Sequence, residues 1–155
     1  MSVPKVFART DGEVLAKFAN SVSKPPCSVT LGLEVTHIDQ AAGLVRMSMV
    51  GLPQWANPRG ALQGGFVTAM LDEAMAVAGI VAGELAFAVP TLDLNTTFLR
   101  PCPIGPVTAQ GRVVRWGKSA AFLEADLFDS EGRHVARASS TVMPIPLPAR
   151  HPRVE

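Results

Sequence analysis

The sequence predicts an α+β protein in which one curved antiparallel sheet wraps around a single long central helix. Three observations lead there. Residues 65–82 form a run apolar on nearly every side, interrupted only by Asp72 and Glu73, and a helix of that kind belongs in a core. Six other segments alternate apolar and polar residues, as strands with one buried face do. Several of the connections between them are of hairpin length, which favours antiparallel pairing. Such a sheet must cover one face, and one long apolar helix can do that.

The elements follow in order. Residues 12–22 read as a short amphipathic helix with Val14, Leu15, Phe18 and Ala19 on one side, stopped by Lys24-Pro25-Pro26. Residues 29–38 alternate as a strand, with Val29, Leu31, Leu33, Val35 and His37 on one face. Gln40-Ala41-Ala42-Gly43 is a turn signal, and 44–50 is the returning strand, setting Val45, Met47 and Met49 against Leu44, Arg46 and Ser48. Residues 53–60 form an irregular loop. The helix of 65–82 ends near Gly83. Strands then follow at 88–100, 107–116, 119–129 and 134–144. This gives an N-terminal helix and linker (1–28), one domain (29–144) and a flexible tail (145–155).

Composition narrows the function. A chain of 155 residues can bury a real core in one domain. Charged residues are 17%, against about a quarter in ordinary domains. That shortage points to surface buried between copies of the chain. A net charge of +1 gives no electrostatic case for nucleic acid or an anionic membrane. The run from 64 to 85 is long enough to span a bilayer. Its paired carboxylates would each cost about 2.5–3.5 kcal/mol there, so no membrane span is expected. The N-terminus has no continuous apolar stretch, so no signal peptide is expected. Cys27 and Cys102 read as two reduced thiols or one disulfide, with a cytoplasmic place favoured. His37, His134 and His151 are scattered, so no metal site is expected.

Helix geometry separates the two carboxylates. Consecutive residues point about 100° apart. Asp72 shares a line with Gly65, Thr68, Ala69, Ala76 and Gly79, a face of small residues that leaves room for a ligand or another backbone. Glu73 shares a line with Phe66, Met70, Val77 and Ile80, the bulky face expected to meet the sheet. Asp72 is therefore the candidate reactive carboxylate, and Glu73 a structural one at the edge of the packed face or in a salt bridge. Gly64 and Gly65 would present the unpaired N–H groups of a helix start, where negative charge is favoured. An ester or thioester carbonyl held there becomes a better electrophile, and its oxyanion is stabilised as it forms.

These residues carry a resemblance. Asn57, then Gln63-Gly64-Gly65, then Asp72 resembles the signature of hotdog-fold acyl-CoA thioesterases of the phenylacetate-pathway type, related to the 4-hydroxybenzoyl-CoA thioesterases. The stretch from Thr91 to Pro101 resembles the family's third strand, and Arg115 to Phe122 its turn between long strands. The resemblance runs from Val29 to Met143 and implies a hotdog dimer or a dimer of dimers (a homotetramer), with active sites at subunit interfaces. It implies that Gly64 donates its N–H to the thioester oxygen and that Asn57 orients water or the carboxylate. Asp72 of the facing subunit would be nucleophile or general base, and Thr91 would assist the water. Gly65, Arg100, Lys118 and Ser119 would meet the substrate and its coenzyme A moiety. No cofactor is implied, since coenzyme A is part of the substrate. The family's His before Gly-Gly is Gln63 here, and a Gln moves no proton near neutral pH. The alternative is a non-catalytic acyl-CoA binding or sensing protein of the same fold.

Overall fold

The computed structural model describes residues 10–20 and 24–148. The ends of the expected first helix and of the C-terminal tail lie outside the described residues. The elements are α1 (Gly12–Ala19), α2 (Pro26–Thr30), β1 (Glu34–Asp39), β2 (Leu44–Gly51), a 3-10 turn (Pro53–Trp55), α3 (Gly64–Ala82), β3 (Phe87–Ala88), β4 (Thr91–Phe98), β5 (Gly105–Trp116), β6 (Ala121–Asp129), β7 (His134–Val142) and β8 (Ile145–Pro146). Six of the strands form one sheet in the order β1-β2-β5-β6-β7-β4, every pair antiparallel. β3 and β8 pair separately, so residues just past 144 add a strand.

The sheet's inner face is written in its alternation. Val45, Met47 and Met49 of β2, Ala109 of β5, and Leu123, Ala125 and Leu127 of β6 are all buried. They close on α3, whose Leu71, Ala74, Ala78 and Val81 are fully buried. The helix sits against β5 so closely that a Cβ on Gly111 would lie 2.1 Å from the Ala74 carbonyl oxygen, so only glycine fits there. By length and composition α3 could cross a membrane, but here the sheet covers it.

Three expectations need correction. Residues 29–33 are not strand. Pro26 sits in the first turn of a helix, where its missing N–H costs nothing, and Val29 N–H and Leu31 N–H bond back to the Pro25 and Cys27 carbonyls. Extended pairing begins only at Glu34, and an irregularity between Val35 and His37 turns Ile38 inward in place of His37. The strand expected over 88–100 is cut at Pro90, which has no N–H for a ladder; Phe87–Ala88 pairs with β8, while β4 pairs with β7.

The third correction concerns the helix. The closest approach to the sheet is on the line of Val67, Leu71, Ala74 and Ala78, where Gly111 meets Ala74; of the bulky line, Met70 and Val77 are also buried, while Phe66 and Ile80 are only partly so. Asp72 and Glu73 thus lie on opposite flanks of α3, towards the β4 and β1 edges of the sheet respectively.

Candidate active site

The start of α3 is held by the loop before it. The Asn57 main chain pairs with Ala61 (N–H to carbonyl 2.7 Å), and its side-chain Oδ1 accepts the Arg59 and Ala61 N–H groups at 2.8 and 3.3 Å. The loop tip is therefore tied by Asn57 itself. Leu62 N–H donates to the Cys102 carbonyl and Gln63 N–H to that of Trp55. The Trp55 ring stacks on Phe66 at 4.7 Å between centroids. These bonds fix where the helix begins and the direction in which its first N–H groups point.

Gln63 is the N-cap. Its Oε1 accepts the Gly65 N–H at 2.7 Å, so of the two glycine donors expected at this end, Gly65 is occupied. Gly64 N–H has no intrahelical partner, as for any first helical residue. The Phe98 ring at the end of β4 lies over it: a Cβ on Gly64 would sit 3.0 Å from Phe98 Cζ. Glycine there admits the ring.

Two turns along, Thr91 Oγ1 donates to Asp72 Oδ1 at 3.0 Å. Thr91 opens β4 just after Pro90, and Asp72 projects from the flank of α3 that β4 covers. Eight residues of helix separate Gly64 from Asp72, about 12 Å along the axis. The structure thus joins Asp72 to Thr91 and Gln63 to Gly64 and Gly65, but leaves the two groups apart within one chain.

The remaining candidates are dispersed. Arg100 donates to the His134 carbonyl at 2.6 Å, at the Phe98 end of β4. Lys118 and Ser119 are exposed in the β5–β6 turn, at the Thr91 end, since Ala121 pairs with Val142 and Val142 with Thr91. Among the described residues Glu73 has no salt-bridge partner; it accepts a hydrogen bond from Ser28 Oγ. Cys27 and Cys102 are both free thiols. Burial, with the Asp129 charge nearby, pushes Cys102 up to about 11, which removes it as a nucleophile at neutral pH. No cluster of three or more metal-ligating side chains occurs among the described residues. Phe98 and Ser28 escape a sequence reading: only strand register brings Phe98 to Gly64, and Ser28, expected in a linker, lies 45 residues from Glu73 in the sequence.

Residues 59–136 match the family pattern described as the thioesterase superfamily, half of the chain. The chain belongs to the thioesterase superfamily. Its fold is the hotdog fold, and the protein is a thioester hydrolase. This thioesterase is 28% identical over 114 residues to the proofreading thioesterase EntH of Klebsiella pneumoniae, covering 74% of this chain and 82% of that one. A phenylacetic acid degradation-related protein of Ralstonia eutropha JMP134 superposes with a TM-score of 0.78 at 30% identity, over 83% of this chain and 98% of that one. A Streptococcus mutans protein solved with acetyl-CoA shares the fold (TM-score 0.66, 18% identity, 74% of this chain and 89% of that one).

Proposed function

We infer that this thioesterase hydrolyses acyl-CoA thioesters at a site shared between two copies of the chain. The observation that carries the reading is the Thr91–Asp72 hydrogen bond at 3.0 Å, with the Gly64 donor about 12 Å away along the same helix. A carboxylate held by a hydroxyl suits attack on an acyl carbon, and a helix-start N–H suits its oxygen. One carbonyl cannot reach both in one chain. β4 is an edge strand whose Leu92 and Phe98 are 60% and 53% exposed. Antiparallel pairing of β4 with its copy sets the Thr91 end of one strand beside the Phe98 end of the other. That places the partner's Gly64 near Asp72, and the partner's Arg100 near Lys118 and Ser119, a suitable setting for coenzyme A phosphates. The acetyl-CoA held by the S. mutans protein supports this substrate class. Two free thiols support a reducing, cytoplasmic setting.

In this mechanism the partner's Gly64 N–H polarises the thioester carbonyl. Asp72 either attacks the carbon, expelling the coenzyme A thiolate and leaving an anhydride that water cleaves, or takes a proton from water as it attacks. Thr91 orients Asp72 and that water, Gln63 fixes the helix start, and Asn57 fixes the loop before it. Asp72→Asn is expected to keep the fold and lower thiol release from acyl-CoA about 100- to 10,000-fold; unchanged release would overturn the assignment. Single-turnover hydrolysis in oxygen-18 water separates the two routes, since only the anhydride route delivers label to Asp72.

A further inference from the structure

The second carboxylate of α3 borders a cavity whose described lining includes neither Asp72 nor Thr91. Glu73 is half-buried on the flank of α3 facing β1, about 100° around the helix from Asp72. Beside it lies a cavity of about 130 Å³, walled by Phe18, Leu33, Val35, Val77 and Ile80. The volume suits one ring, since an apolar cavity of about 150 Å³ holds benzene. Its polar end carries unbalanced charge. Lys24 is the one cation among the described lining residues, and its ammonium already donates to Glu34 at 2.6 Å and to the Leu33 carbonyl at 3.1 Å. Glu73 has its hydrogen bond from Ser28 and no cationic partner among the described residues. A half-buried carboxylate at the end of an apolar cavity is matched by a ligand with an apolar ring and a positively charged nitrogen.

We propose that the cavity between α3, α1 and β1 is a binding site for a small aryl-alkyl ammonium, with the ring against Val77 and Ile80 and the nitrogen on Glu73. The site is independent of the acyl-CoA reading and is tested without any activity measurement. Benzylamine is titrated into the full-length protein and followed by NMR, with toluene and benzoate as the neutral and anionic counterparts. Saturable binding of benzylamine is expected, with Kd on the order of 1 mM for a ligand of this size, and with shifts concentrated at Phe18, Val77 and Ile80. Benzoate is expected not to bind, and toluene to bind about tenfold more weakly or worse. Glu73→Gln should weaken benzylamine about tenfold while leaving toluene unchanged. Val77→Phe, which fills the cavity and keeps the charge, should abolish both. Equal binding of benzylamine, toluene and benzoate to the unaltered protein would overturn the proposal, even should Glu73→Gln fail to fold. So would benzylamine binding that survives Val77→Phe.

Discussion

Gln63 illustrates how one side chain can change its task within a family pattern. In place of a titratable imidazole it offers an amide oxygen that caps α3 through the Gly65 N–H at 2.7 Å. Its contribution is then a cap, worth about 1 kcal/mol, and not a proton. Gln63→Ala is expected to lower the unfolding free energy by about that amount in denaturant titration, while thiol release at saturating acyl-CoA falls less than tenfold. A loss approaching that of Asp72→Asn would mean that Gln63 touches the reacting atoms. The position of Asp72 eight residues on from Gly64 along one helix was legible, because helix geometry fixes that spacing. The Thr91–Asp72 contact was legible only through family resemblance, since 19 residues separate the pair and nothing local orients one towards the other.

At the scale of the element, alternation predicted the phase of β2 well, because Val45, Met47 and Met49 are buried and a shifted register would expose them. It misled at 29–33, where apolar alternation coexists with a proline at a helix start. It also misled on α3, where bulk was taken as the mark of the sheet-facing side although the closest approach, at Gly111, is made at Ala74. Turns were more legible. Asp129-Ser130-Glu131-Gly132-Arg133 reads as a connection, and in the structure the buried Asp129 carboxylate accepts the Glu131 and Arg133 N–H groups at 3.0 and 2.9 Å and the Arg133 guanidinium at 2.7 Å. Burial alone would raise this carboxyl, but the Arg133 and Glu131 bonds outweigh it and hold it below its ordinary 3.8. A carboxyl depressed on folding stabilises the protein fully above its unfolded value, and that stability is lost as pH falls through the lower folded value. Asp129→Asn is therefore expected to lower Tm clearly at pH 7, with the gap to the unaltered protein closing as the pH drops below about 4. A gap that does not change with pH would show that the turn depends on shape and not on charge.

For the whole molecule, the question is whether the site belongs to one chain or to two. The low charge content and the resemblance both suggested surface shared between copies, and the structure adds the particular edge, β4, that would be shared. A two-fold pairing through that edge makes two equal sites, each taking Asp72 from one chain and Gly64 from the other. Gly64→Pro removes the donor, but its ring must displace Phe98, which a Cβ here would meet at 3.0 Å; Gly64→Ala, which displaces Phe98 and keeps the donor, is the control. Proline is tolerated at a first helical position, and Gln63 before it already has the extended backbone (φ −66, ψ 139) that a following proline requires. Alone, Gly64→Pro is expected to lower thiol release about 100- to 1,000-fold, as Asp72→Asn does by its own route. When the two variants are unfolded together and refolded, half of the dimers should be mixed. In a mixed dimer one site carries both changes and the other carries neither, so about a quarter of the original activity should return. No recovery, with mixed dimers demonstrated by mass spectrometry of the intact complex, would place Asp72 and Gly64 on separate tasks.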